Sequence, residues 1–281
     1  MKTTIYNIPN APDMAILADI HEKPRGDIIK SLKDHKPEII LIPGDFIYGS
    51  LPSKGTKLKG SKILPFLSLC ASIAPTYASL GNHERILRPE DIEEVKKTGV
   101  VLLNNEWVQK NGIVIGGLSS GWINAYKKAI DRCKQRKDKA TNPLYPHPHA
   151  KDIVKNPSPN LVWLNEFEKA DGYKVLLCHH PEYWDVLQSR NINLVVSGHA
   201  HGGQCRYYSI RHRRWMGLYA PGQGLFPRYT EGLHSYSAFQ LEKQLLISRG
   251  LSNTSLLPRF FNSREIVYIK GCSTKEVATP S

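Results

Sequence analysis

A chain of 281 residues, 41% hydrophobic and 22% charged, has the composition of an ordinary globular protein and enough material for a sizeable core. Lys and Arg outnumber Asp and Glu by 38 to 25, and the resulting formal charge of +13 suits a phosphate-bearing substrate, nucleic acid or an anionic membrane surface. No apolar run is long enough to cross a bilayer, Pro9, Pro12 and Asp13 interrupt any leader-like pattern, and five cysteines without a C-x-x-C pair suit reduced thiols. The expectation is a cytoplasmic protein without a disulfide framework.

In chain order, residues 14–18 form a short apolar strand that ends at Asp19-Ile20-His21. Residues 26–36 predict a helix stopped by Pro37, and 38–42 a second strand ending at Pro43-Gly44-Asp45. After a Gly/Ser/Lys-rich loop over 49–60 comes an amphipathic helix at 61–72, then a strand over 76–80 that ends at Gly81-Asn82-His83-Glu84. Pro89 opens a helix that runs to Thr98, where Gly99 offers the stop. Residues 100–108 and 113–118 predict a hairpin turned by Asn111-Gly112.

From about 121 to 160 the chain turns basic and then proline-rich, which suggests an insertion within one domain spanning 1–281. Most of its lysines are expected to be a solvated face, and Pro146-His147-Pro148-His149 a surface loop. By position the insertion is a candidate cap over the site. Ser158-Pro159 then opens a helix through Lys169, and a buried strand over 174–177 ends at Cys178-His179-His180-Pro181. A helix over 182–188 and an apolar run over 192–196 lead into Ser197-Gly198-His199-Ala200-His201-Gly202-Gly203-Gln204, where glycines break the strand into a tight loop. Beyond it the pattern is β-like, with Arg211 to Arg214 on a loop and closing strands at 238–241, 244–248 and 266–269. Strands alternating with helices, with polar residues just past the strand ends, indicate an α/β protein with a site along one sheet edge.

The strand-end residues Asp19, His21, Asp45, Asn82, His83, His179, His199 and His201 supply carboxylate, amide and imidazole donors and no thiolate, a ligand set for hard to borderline divalent ions. All but His83 fill two adjacent sites if one aspartate bridges, and Asp45 is the natural bridge. Two cations roughly 3.5–4 Å apart hold a hydroxide between them, lower the pKa of water from about 15.7 toward 7 and clamp a phosphoryl group. His83 is then free to protonate the leaving oxygen. Arg85 and Arg206 are candidate substrate contacts, with Arg211, Arg213, Arg214 and Arg228 as further phosphate-gripping side chains.

The ordered set Asp19-x-His21, Gly44-Asp45, Gly81-Asn82-His83-Glu84, His179 and Gly198-His199-Ala200-His201 resembles the calcineurin-like metallophosphoesterase signature. The Gly-His-Ala-His-Gly-Gly-Gln run, with Ser248-Arg249-Gly250-Leu251 and Phe260-Phe261-Asn262, is similar to the bacterial YkuE/YaeI-type phosphodiesterase branch. The resemblance implies a four-layer αββα sandwich of two mixed β-sheets flanked by helices. It also implies two divalent metals, with Mn, Fe and Zn all fitting. Asp19, His21, Asp45 and His201 would hold one; Asp45, Asn82, His179 and His199 the other; His83 would be the acid. By its spacing to Pro181, His179 matches the ligand, leaving His180 to support it or to pack. Three departures stand out: Tyr48 where the family often has a second Asp, Ser119-Ser120 where that branch often has an Asp-rich turn, and no visible N-terminal membrane or export segment of the kind its members frequently carry.

The leading expectation is therefore a dinuclear metallophosphoesterase, a phosphodiesterase acting on a nucleotide, lipid-linked or cell-envelope phosphoester. A metal-dependent nuclease is the alternative suggested by the charge of +13, although few aromatic residues interleave its basic clusters. A non-catalytic interaction module on the same fold comes third, because such a protein is expected to lose ligands. Peripheral contact with an anionic membrane is compatible with the charge.

Overall fold

A computed structural model describes residues 1–48, 58, 60–121, 159–238, 241–253 and 258–272. Among them are two six-stranded sheets. The first half of the chain supplies β1 (Lys2–Pro9), β2 (Met14–Ile16), α1 (Gly26–His35), β3 (Ile39–Ile42), α2 (Ile63–Ile73), β4 (Thr76–Ser79), α3 (Pro89–Lys97) and β5 (Val101–Leu103). Then come β6 (Glu106–Lys110), β7 (Ile113–Leu118), α4 (Leu164–Lys169), β8 (Tyr173–Cys178), α5 (Trp184–Leu187) and β9 (Leu194–Ser197). Two small ribbons follow, β10 (Arg206–Ser209) with β11 (Arg214–Gly217), and β12 (Tyr219–Ala220) with β13 (Gly224–Leu225). The chain closes with β14 (Gly232–Ala238), β15 (Leu241–Ile247) and β16 (Glu265–Cys272).

One sheet has the order β1-β16-β2-β3-β4-β5 and the other β14-β15-β9-β8-β7-β6, and each mixes parallel with antiparallel pairs. Apolar residues on both faces of the central strands produce three buried clusters, because parallel strands covered on both sides have no face for water. Met14, Ile16, Leu41, Val175, Leu177 and Val196 lie between the sheets. Ala15, Ile40 and Ile42 pack outward on Ile28, Leu32 and Phe66 of α1 and α2. Val114, Leu176 and Val195 pack outward on Phe167 of α4 and Trp184 of α5. Helix, sheet, sheet and helix are thus stacked in four layers, the αββα sandwich expected.

Several local expectations are corrected. The single strand read at 100–108 is two, β5 in one sheet and β6 in the other, because the chain crosses between sheets at Asn104-Asn105. Asn105 takes a left-handed φ of 58° there, and Gly117 admits Leu103 where a Cβ would stand 2.4 Å from Leu103 Cβ. The hairpin itself joins β6 to β7 through Asn111 and Gly112, both at positive φ. The helix expected from 158 starts at Leu164, since the Asn160 side chain accepts from Val162 N–H and the following bonds close three-residue turns. The helix at 182–188 divides into a tight turn Pro181–Tyr183 and the short α5. Of the strand placed at 238–241, Ala238 ends β14 and pairs with Leu241, which opens β15, and 239–240 lie outside the described residues. The basic and proline-rich insertion falls almost wholly on 122–158, outside the described residues. Among the described residues no helix is long and apolar enough to cross a membrane.

Candidate metal centre

Every strand-end residue singled out above follows a central strand: Asp19 and His21 after β2, Asp45 after β3, Asn82 and His83 after β4, His179 after β8, and His199 and His201 after β9. Strands β2, β3 and β4 are mutually parallel, as are β8 and β9, so within each sheet these loops emerge from one edge. The two edges meet. Asp45 Oδ2 is 3.0 Å from His179 Nε2, 3.7 Å from His83 Nε2 and 4.0 Å from His21 Nε2. Asp19 Oδ1 is 3.7 Å from His21 Nε2 and from His201 Nε2, and 4.0 Å from His179 Nε2. Asp19 with His21 and His201, and Asp45 with His179 and His199, each bring three donor atoms within 4.8 Å of one another.

The backbone is held in unusual conformations to achieve this. Asp19, His21, Asp45, His199 and His201 all have φ between 48° and 66°, a region that costs non-glycine residues of order 1–3 kcal/mol each. Such strain persists where surrounding contacts over-determine it, and here they do. Asp19 accepts from His199 N–H at 3.1 Å, and Asp45 Oδ1 accepts from His83 N–H at 2.9 Å. Glycine makes room for both carboxylates: a Cβ on Gly81 would stand 2.3 Å from Asp45 Oδ1, and one on Gly250, at φ 77°, 2.6 Å from Asp19 Oδ2.

Two rings are aimed by backbone carbonyls. His21 Nδ1 donates to Ile47 O at 3.1 Å and His179 Nδ1 to Pro43 O at 2.9 Å, which turns each Nε2 lone pair inward. Both Nε2 atoms, together with Asn82 Oδ1, are buried without a hydrogen-bond partner. The 3.0 Å approach of His179 Nε2 to Asp45 is a buried charge contact. Burial holds His21 down to about 3, and His201 down to about 4 with help from the Arg259 guanidinium, so both rings stay neutral. His199 is likewise pushed well below its usual value by burial and the neighbouring His180 and His179. His179 is the exception: burial opposes its charge, but Asp45 outweighs burial and lifts it to about 9. Burial works against the Asp45 charge too, yet His179 and His83 keep its carboxyl well below the usual range.

The residues fit divalent cations. Buried neutral imidazoles, two carboxylates and orphaned inward-facing donor atoms are costly unless a cation satisfies them. His180 stands differently, because Nδ1 is 3.0 Å from Glu182 Oε1 and Nε2 2.7 Å from Ser120 Oγ, leaving no ring nitrogen for a metal. Arg85 lies two residues past His83 in the turn His83–Ile86. Arg206 is not brought to the cluster: its guanidinium pairs with Glu231 and donates to Trp215 O at 3.0 Å. Tyr48, at the position of the departed Asp, sets its ring 5.7 Å from that of His83.

Sequence reasoning gave no role to three braces of the site. Glu84 accepts from the backbone N–H groups of Asp45, Ile47 and Gly81 at 2.9, 3.0 and 2.7 Å, tying two strand ends together. Burial and the charge of Asp45 raise its carboxyl to about 8. Asn262 Nδ2 donates to His201 O at 2.6 Å and Gln204 O at 3.0 Å, fixing the left-handed turn that carries His201. Arg259 Nη2 sits 3.0 Å from His201 Nδ1 and also donates to Ser252 O. The only available signal was their proximity in sequence to the motifs, since their partners lie 37 to 61 residues away, apart from Gly81 and Ser252.

Several known proteins are similar to this chain. The uncharacterized protein YpbG of Bacillus subtilis is 25% identical over 198 residues, which cover 68% of this chain and 61% of that one. The uncharacterized metallophosphoesterase YkoQ of Bacillus subtilis is 24% identical, over 84% of this chain and 73% of its own length. Phosphodiesterase YaeI of Escherichia coli is 24% identical, over 78% of this chain and 65% of its own. A dimetal phosphatase from Danio rerio superposes with a TM-score of 0.45 at 10% identity, covering 85% of this chain and 88% of that one. The family profile described as calcineurin-like phosphoesterase matches residues 13–203, more than half of the chain and every strand-end residue named above, and the chain belongs to that family.

Proposed function

We propose that the chain is a dinuclear metal-dependent phosphodiesterase, in which a water oxygen attacks phosphorus and the P–O bond to the leaving group breaks. The observation that carries this is the convergence of Asp19, His21, Asp45, His179, His199 and His201 at two facing sheet edges, with buried His21 Nε2, His179 Nε2 and Asn82 Oδ1 lacking other partners. Asp19, His21, Asp45 and His201 would hold one cation, and Asp45, Asn82, His179 and His199 the other. When bound, the pair of divalent cations supplies a water of lowered pKa and positive charge to polarise the phosphoryl oxygens.

The remaining steps fall to the chain. His83 is the partly exposed imidazole of the group, anchored through its backbone N–H to Asp45. It donates a proton to the departing oxygen and so spares the formation of a free alkoxide. Asp45 restrains His179 and His83 at once, keeping the acid beside the reacting centre. Arg85, in the same turn as His83, is the arginine we assign to contact a bound phosphoester.

The test is turnover of mono- and diesters, including single- and double-stranded DNA and RNA, by purified protein reloaded separately with Mn, Fe or Zn. Diester hydrolysis that disappears in Asp45→Asn supports the reading. Preferred cleavage of polynucleotides would make the enzyme a nuclease, and no turnover with any loaded metal would reject catalysis.

A further inference from the structure

The face that carries the β10–β11 ribbon differs from the rest of the surface. Ile210 is 85% exposed at the ribbon tip and Phe261 74% exposed beside it, with Leu225, Phe226, Tyr208 and Trp215 also open to solvent. Single exposed apolar residues are normal, but the rings among these gather on the two faces of one ribbon. Tyr208 and Trp215 oppose each other across the ribbon with rings 5.8 Å apart, and Phe261 stacks on Trp215 at 5.0 Å. On the opposite face of the ribbon, Phe226 meets Tyr207 edge-on at 6.2 Å.

Positive charge surrounds this aromatic surface. A cavity of about 540 Å³ between the ribbon and β1 is lined by Lys2, Arg206, Arg213, Arg214, Arg228 and Arg249, against the carboxylates of Glu231 and Glu265. Both carboxylates are already engaged, Glu231 by Arg206 and Glu265 by Arg249 at 3.2 Å. Arg228 leans 3.5 Å from Asp185, while Lys2, Arg213 and Arg214 form no ion pair among the described residues. Buried Arg206 Nε points into this environment without a hydrogen-bond partner. Arg211, at the ribbon tip, adds another exposed cation.

Trp and Tyr rings at a polar–apolar boundary, aliphatic side chains at the tips and guanidinium groups beside them match the headgroup region of a bilayer. Cations near an anionic leaflet are attracted within a screening length. Ile210 and Leu225 have no ring to stack on a base, which disfavours single-stranded nucleic acid. We infer that this face docks on an anionic phospholipid bilayer, the cavity receiving a headgroup phosphate while Ile210, Leu225, Phe226 and Phe261 enter the interface. The same face backs onto the metal loop: Leu218 N–H donates to Gly203 O, and Arg206 N–H to Phe260 O, next to the Asn262 that holds His201. Docking therefore brings the catalytic edge toward phosphoesters borne by lipid, a step that rests on the phosphodiesterase reading, whereas docking itself does not.

The test is sedimentation of the metal-loaded full chain with vesicles of phosphatidylcholine alone or mixed with phosphatidylglycerol, at low and high salt. Binding to the anionic vesicles only, lost at high salt, is expected. Ile210→Ser with Leu225→Ser and Phe226→Ser, and separately Arg211→Glu with Arg213→Glu and Arg214→Glu, should each lower the partition coefficient at least tenfold. The apolar variant should leave turnover of a soluble diester unchanged. Equal binding to neutral vesicles, no vesicle binding, or binding indifferent to both variants overturns the inference. So does saturable binding of free inorganic phosphate or an RNA oligonucleotide in place of vesicles. Vesicle binding by a chain that hydrolyses no phosphoester would overturn the proposed function and leave the docking surface standing.

Discussion

Gly81→Ala isolates the geometry of the centre from its chemistry, because no ligand or titrating group is altered. Gly81 is not at positive φ, so alanine brings no backbone strain there. Its Cβ would sit 2.3 Å from Asp45 Oδ1 and 2.6 Å from Asp45 N, where ordinary contact begins near 3.4 Å. Relief requires the Asp45 carboxylate or the 80–82 backbone to move by about 1 Å, since overlap of a Cβ with backbone on that scale cannot be absorbed by a rotamer change. Overpacking of this kind costs about 1–3 kcal/mol, which at about 2–4 °C per kcal/mol is a melting-temperature loss of roughly 2–12 °C. A 1 Å misplacement in a reacting constellation costs on the order of 10²-fold in rate. The assays are metal content after dialysis, thermal melting of the metal-free and loaded forms, and kcat on a soluble phosphodiester. Gly26→Ala, with nothing within 4 Å of the added Cβ, is the control. If Gly81→Ala retains its metals, melts with the parent and turns over within threefold of it, Asp45 is not held as described.

His83→Ala should retain both metals and slow unactivated leaving groups about 10²–10⁴-fold, while p-nitrophenyl esters, whose oxygens need no proton, slow far less; equal slowing would remove the acid role. Asn262→Ala leaves the His201 and Gln204 carbonyls short of a donor, so a destabilisation of about 1–3 kcal/mol and weakened binding of the cation on the His201 side are expected in a metal titration. The metal-free protein should melt highest near pH 6.5. Below that pH the unfolded histidines protonate while folded His21 and His180 wait until about 3 and His201 until about 4, so stability falls with acid. Above it, the stabilisation from His179, complete below about 6.5, is lost as pH rises through about 9, and Glu84 adds to the loss up to about 8. A melting curve flat between pH 5 and 8 would contradict these environments.

The strand-end residues were legible because each follows a short apolar run, ended by Gly or Pro everywhere except before Asp19, and their donor types already exclude most other chemistry. What was hidden depends on partners far along the chain. β1 pairs in parallel with β16 from the opposite end, and nothing periodic in residues 2–9 announces that neighbour. The crossing at Asn104-Asn105 reads as continuous strand because apolar residues, Val101 to Leu103 and Trp107-Val108, stand on both sides of it, and only the opposing Gly117 shows where the sheets part. Glu84 was visible inside its motif, but its bonds to Asp45, Ile47 and Gly81 require the fold. Arg206 illustrates the reverse error: it follows the histidine loop closely, yet Glu231, brought in by the chain reversal after β13, takes its charge away from the centre. Proximity to a motif is a weak guide for a long cationic side chain, whose reach exceeds the loop that carries it.

The central claim is that side chains from both sheets cage a pair of cations. Anomalous diffraction from crystals grown with manganese measures this directly. The account predicts two peaks per chain roughly 3.5–4 Å apart, one within bonding distance of Asp19, His21 and His201, the other of Asn82, His179 and His199, with Asp45 reaching both. A single peak, or peaks away from these residues, would contradict it.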